Sequence, residues 1–216
     1  MKYKLAHIDE SDQAISQFYH SFKSDFEIVK IKVDSESDVP SLISKALENE
    51  VDAVVVDYLL EEEGEVSFNG NILFDEFKKV RPHIPIIMLT SHEPEAIDHM
   101  KNVHIIYSKD LMDGESKEEL ELLKTKIKIS ITNYYKLIDD TRSRIEQLVK
   151  KRNGEEGLTM SEEEDLSKNF VIMDELEPQS KGIPSHLTIP QEITKLTDFV
   201  SQTRQILEEL RKANNK

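Results

Sequence analysis

The chain has 216 residues, 28 basic and 43 acidic side chains, a net charge of −15 and no cysteine. That length allows one large or two modest domains, and the absence of cysteine excludes disulfide frameworks and thiolate chemistry. Residues 1–113 carry 11 basic and 23 acidic side chains and the remainder 17 and 20, so neither part offers the basic footprint of a nucleic-acid partner.

No apolar run approaches the ~18 residues of a membrane span, and the first apolar run begins almost at Met1, which leaves no room for a signal peptide. A cytoplasmic protein with no membrane contact is expected. Leu5-Ala6-His7-Ile8 reads as a first strand running into the acidic pair Asp9-Glu10. Ser11 to Ser24 carries Ala14, Ile15, Phe18, Tyr19 and Phe22 at helical spacing, and Phe26 to Val33 reads as a second strand. A second amphipathic helix spans Pro40 to Asn49, with Leu42, Ile43, Ala46 and Leu47 on one face.

The β-branched run Val51 to Val56 then ends in Asp57, the pattern of a strand buried on both faces. A helix over Asn71 to Val80 stops at Arg81-Pro82, and the fourth strand begins at Pro85 and runs into Thr90-Ser91. A fifth, Ile105-Ile106-Tyr107, runs into Ser108-Lys109. The alternation implies an α/β fold with a doubly wound parallel sheet and right-handed crossovers. In such a sheet ligands sit beyond the carboxyl ends of the strands, so Asp9, Glu10, Asp57, Thr90 and Lys109 can converge there. Three carboxylates, a hydroxyl and an amine suit a hard divalent cation and a phosphoryl group.

From Ser116 the pattern becomes one helical period. Leu120, Leu123, Ile127, Ile131, Tyr134, Ile138, Thr141, Ile145 and Leu148 step by three or four, a heptad-like seam on a helix expected over 116–152. Ser116 with Glu119 forms a capping box, and Thr159 with Glu162, or Ser161 with Glu164, forms another at the start of a helix expected over 160–176. A linker with Gly182, Pro184 and Pro190 leads to a last helix over 190–213. The seam admits an all-α bundle within the chain or a homodimeric coiled coil. Six of the seven histidines, His7, His20, His83, His99, His104 and His186, are scattered singly, without ligand spacing.

In the order and spacing of five elements, the chain resembles the receiver domain of bacterial response regulators over about residues 1–115. The resemblance implies a five-stranded flavodoxin-like sheet of order 2-1-3-4-5. It makes Asp57 the acceptor of a phosphoryl group from a histidine kinase or phosphotransfer protein. It makes Asp9, Glu10, Asp57 and the backbone carbonyl of Leu59 the holders of Mg²⁺. Thr90 and Lys109 then bind phosphoryl oxygens, and Ser91 is small enough to leave them room. Residues 116–216 become a helical output region for a protein partner that the sequence does not name.

Three departures stand beside this likeness. The Gly of Asn69-Gly70 comes thirteen residues after Asp57 where receivers usually need eight, behind the acidic insertion Glu61-Glu62-Glu63-Gly64-Glu65. Receivers commonly carry an aromatic three residues before the lysine, where this chain has Ile106, with Tyr107 one place later on the opposite strand face. Lys109 is followed by Asp110 and not by proline. Leu59 and His92, two beyond Asp57 and Thr90, stand where receivers shape the approach of the hydrolysing water, and Leu59 predicts a slow phosphoaspartate hydrolysis. Two accounts follow, a switch with a helical output or a degenerate receiver serving as a constitutive scaffold. Turnover of an external substrate is not expected, because the second half offers no nucleophile and base at recognisable spacing.

Overall fold

The structure, a computed structural model, describes residues 2–61, 66–155 and 157–177. The helix expected over 190–213, the linker before it and residues 62–65 of the insertion lie outside the described residues. Five strands, β1 (Lys4–Asp9), β2 (Glu27–Lys32), β3 (Ala53–Val56), β4 (Ile86–Thr90) and β5 (Ile106–Ser108), alternate with helices α1 (Asp12–Phe22), α2 (Val39–Glu48), α3 (Gly70–Val80) and α4 (Glu93–His99). Two helices follow, α5 (Lys117–Arg152) and α6 (Met160–Leu176). The sheet has the order β2-β1-β3-β4-β5, and every neighbouring pair is parallel.

Strand alternation separates the two faces of this sheet. Ala6 and Ile8 of β1, Val54 and Val56 of β3 and Met88 of β4 pack with Leu42, Ile43, Leu73, Phe77 and Ala96 from α2, α3 and α4. Leu5, Ala53, Val55, Ile87 and Leu89 pack on the other face with Phe18 and Phe22 of α1 and Leu123, Ile127 and Ile131 of α5. Both faces are therefore covered, which is why the central strands read as continuous apolar runs. Ile106 joins the first of these clusters and Tyr107 the second, as period-two alternation requires.

Helix starts follow local chemistry. Ser11 caps α1 by accepting from the Ala14 amide, and Asp38 with Ser41 forms a capping box on α2 with Pro40 in its first turn. The seven-residue α4 was not foreseen in the sequence. Its usable signals are Pro94 in the first turn, flanked by Glu93 and Glu95, both favourable at the positive end of a helix.

The chain divides into two units after Lys136, and α5 contributes to both. In the first unit Leu123, Ile127 and Ile131 are at most 2% exposed, and each such burial stabilises by roughly 2 kcal/mol. Asp25, in the turn after α1, reinforces that packing by accepting Lys128 Nζ at 2.6 Å and holding Lys124 Nζ at 3.3 Å. The hydrogen bond from Lys128, then that from Ser24, draws its carboxyl down to about 2.

In the second unit Leu148 of α5 packs with Leu166 and Phe170 of α6, flanked by Ile145, Val149 and Leu158. Thr159 and Glu162 form the capping box of α6, the first of the two alternatives open from the sequence. Arg152 and Glu163 make an ion pair whose side chains are only 6% and 3% exposed. Seam positions Ile138 and Thr141 are buried as well, as is Tyr134 in the first unit. No helix among the described residues is long and apolar enough to cross a membrane.

Candidate functional site

Asp9 ends β1, Glu10 follows it, and Asp57 follows β3, the strand that pairs with β1. Parallel pairing puts both strand ends at one edge, where the three carboxylates offer oxygens within 4.8 Å of one another. All three residues are buried, with Asp9 fully so. Lys109, just beyond β5, reaches across from the sheet edge. Its Nζ lies 2.8 Å from Oδ2 of Asp9 and 2.8 Å from Oδ2 of Asp57.

Local hydrogen bonds fix this arrangement. Asp9 Oδ1 accepts from the Ser11 amide at 2.9 Å, and the Asp57 amide donates to the Ile8 carbonyl at 3.0 Å. Gly70 packs against the backbone of Asp57 and Tyr58. A Cβ there would lie 2.1 Å from the Asp57 carbonyl oxygen, and its amide donates to the Tyr58 carbonyl at 2.7 Å. Asn69 Oδ1 accepts from the amides of Leu60 and Glu61. Despite the five extra residues, Asn69-Gly70 is therefore brought against Asp57.

Of the other residues singled out in the sequence, Thr90 is fully buried at the end of β4, and its Oγ1 accepts from the His92 amide at 3.0 Å. Ser91 is exposed and shares a cleft of about 240 Å³ with Glu10, Gln17, Lys109 and Asp110. Leu59 is half-buried and His92 turns to Glu95, with Nδ1 3.4 Å from Oε2. Tyr107 lies on the α5 side, where Lys126 Nζ sits 5.1 Å from its ring centre.

One ammonium among three carboxylates leaves the cluster with excess negative charge in a dry setting. Burial, partly reversed by Lys109 and increased by Asp9, raises the Asp57 carboxyl to about 6. Burial raises Glu10 to about 7, against a backbone hydrogen bond and with help from Asp57 and Asp9. Burial alone lowers the Lys109 amine, but the two aspartates outweigh it and the net direction is up. Glu10 Oε2 and Asp57 Oδ1 are buried without a hydrogen-bond partner, and Asp9 Oδ2 has ion contacts only. Hard oxygen donors with uncompensated charge fit a divalent cation such as Mg²⁺.

One residue beside the cluster carried no signal of its own in the sequence. His7 is fully buried on β1 and stacks on Phe18 with ring centres 4.0 Å apart and planes 4° apart. Its Nε2 is 3.6 Å from Asp9 Oδ2. Burial first, and Lys109 second, push the imidazole down to about 3, so it is neutral at neutral pH.

No protein-family model matches the sequence, and no curated protein matches it. Solved structures do. A receiver domain protein from Clostridium thermocellum aligns at 21% identity and a TM-score of 0.45, over 61% of this chain and 95% of that one. The receiver of an HD domain-containing protein from Pseudomonas fluorescens aligns at 14% identity and a TM-score of 0.47, over 61% and 91%. The non-phosphorylated receiver of the stress response regulator RcsB from Escherichia coli aligns at 17% identity and a TM-score of 0.44, over 58% and 95%.

Proposed function

We propose that the chain is a two-component response regulator whose receiver, within residues 1–115, is phosphorylated on Asp57 and controls a helical protein-binding output in residues 116–216. The observation that carries this reading is the buried cluster of Asp9, Glu10 and Asp57 with Lys109 bridging two of them at 2.8 Å. Structural cores rarely retain uncompensated buried charge.

The donor is a phosphohistidine of a kinase or phosphotransfer protein. An oxygen of Asp57 attacks phosphorus, a P–O bond forms as the P–N bond breaks, and the electron pair stays on the leaving imidazole. Mg²⁺ held by Asp9, Glu10, Asp57 and the Leu59 carbonyl supplies electrostatic stabilisation of the phosphoryl oxygens. Lys109 and Thr90 bind those oxygens, and Ser91 leaves them room in the cleft. The new group brings about −2 charges, so Lys109 is drawn away from its aspartates and towards the phosphoryl group. The apolar Leu59 cannot orient an attacking water and His92 is engaged with Glu95, so hydrolysis is slow. A half-life of seconds at neutral pH would refute that last point.

The test is the intact mass after incubation with Mg²⁺ and acetyl phosphate, beside Asp57→Ala. One added phosphoryl group, missing in the variant, is the expected result. No adduct on folded protein would favour the second reading, a constitutive scaffold. That reading draws on Ile106 in place of an aromatic and on Tyr107 held on the α5 side. Sizing with and without the phosphodonor then reports whether the output is a homodimer.

A further inference from the structure

The imidazole of His7 is the one buried titratable side chain at the strand ends that phosphoryl transfer leaves without a task. Neither ring nitrogen has a hydrogen-bond partner, and an unpartnered buried polar group costs about 1–3 kcal/mol. Packing does not require that cost, because leucine fills a similar volume on Phe18 without polar atoms. Strand alternation points His7 to the same side of β1 as Asp9, and the stack on Phe18 fixes the ring plane. Nε2 then faces Asp9 Oδ2 from 3.6 Å, about 0.7 Å beyond a hydrogen bond.

Asp9 Oδ2 is also one of the two oxygens that Lys109 touches. If Lys109 moves to a phosphoryl group on Asp57, that oxygen loses its cationic neighbour. We propose that His7 is a positioning residue for Asp9: its Nε2–H closes on Oδ2 when Lys109 leaves or a divalent cation binds, and so holds the carboxylate in its cation-binding orientation. This inference rests on the proposed cation site. A histidine N–H behind a ligating carboxylate acts as outer-shell partners generally do, and loss of such a partner typically weakens metal affinity about 10–100-fold.

The measurement is the dissociation constant for Mn²⁺, read from free-ion electron paramagnetic resonance, and for Mg²⁺ by competition, on wild type, His7→Leu and His7→Gln. His7→Leu is expected to be more stable than wild type without metal, through loss of the orphaned nitrogens, and yet to bind either ion about tenfold more weakly. His7→Gln keeps an N–H donor of similar reach and should recover most of the affinity. Equal affinity in wild type and His7→Leu would overturn the positioning role and leave His7 a core side chain. Failure of wild type itself to bind either ion would instead overturn the cation site on which the inference rests.

A spectrum of the wild-type histidine ring nitrogens keeps the question decidable if His7→Leu does not fold. An Nε2-protonated His7 whose proton moves downfield on Mg²⁺ addition supports the role. An Nδ1-protonated ring, or no shift at saturating Mg²⁺, refutes it.

Discussion

Replacing Asp57 with asparagine should stabilise the metal-free protein at alkaline pH, although it removes an ion pair with Lys109. The folded-state carboxyl is raised from 3.8 to about 6, so ionised Asp57 is unfavourable in the fold by roughly 3 kcal/mol, at about 1.4 kcal/mol per pKa unit. With the folded value above the unfolded one, the stability linked to this group is fully present below pH 3.8 and is lost as pH rises through 6. Asparagine is neutral throughout and suffers no such loss. In EDTA at pH 8 the Asp57→Asn protein should therefore exceed wild type by about 3 kcal/mol, or roughly 6–12 °C in Tm for a chain of this size. The gap should close as pH falls to about 4. Urea titrations at both pH values measure it, and Mg²⁺ should raise wild type more than the variant. A less stable variant at pH 8 in EDTA would mean that attraction to Lys109 outweighs burial, and would refute this account of the cluster.

Gly70→Ala should destabilise the protein by about 2 kcal/mol or more through overpacking on the Asp57 carbonyl, and slow its labelling by acetyl phosphate in the mass assay. Glu163→Ala strands the buried Arg152 and should cost about 3–5 kcal/mol, seen as early proteolysis near α6. The double change Arg152→Leu with Glu163→Leu should recover most of that loss. Asp25→Asn should lower stability by about 1–2 kcal/mol above pH 5, a figure reduced for solvent screening of Lys128. Because the folded carboxyl lies near 2 and the unfolded one at 3.8, that difference should disappear as pH falls through 2. Unfolding midpoints against pH for the two proteins provide the check.

The central strands β1, β3 and β4 were visible in the sequence because a strand buried on both faces is an unbroken apolar run, and the residue at its end stands out when it is Asp9, Asp57 or Thr90. The seam of α5 was visible because 36 residues sustain a period, and Leu123, Ile127, Ile131, Ile138, Thr141 and Leu148 are all buried as it requires. The α4 helix is too short for a period to register and buries only Ala96. The Arg152–Glu163 pair joins two elements, so no spacing announces it. His7 sits in an apolar run like any core residue. Its nearness to Asp9 depends on a ring orientation set by Phe18, a contact that exists only once α1 has packed on β1.

The clasp of Asn69 and Gly70 on the Asp57 turn bears on how this surface tolerates change. The chain departs at Leu60 and Glu61, returns at Asn69, and the departing amides are held by the returning side chain. Val66 and Phe68 of the returning chain pack on the core, so chain length inserted between Glu61 and Val66 is decoupled from the carboxylates, and doubling such a loop costs only about 0.6 kcal/mol in closure entropy. Evolution can lengthen, recharge or exchange that stretch as a detachable module. An experimenter can use the same stretch as a port for an epitope or a reporter while the chemistry beneath it stays in register.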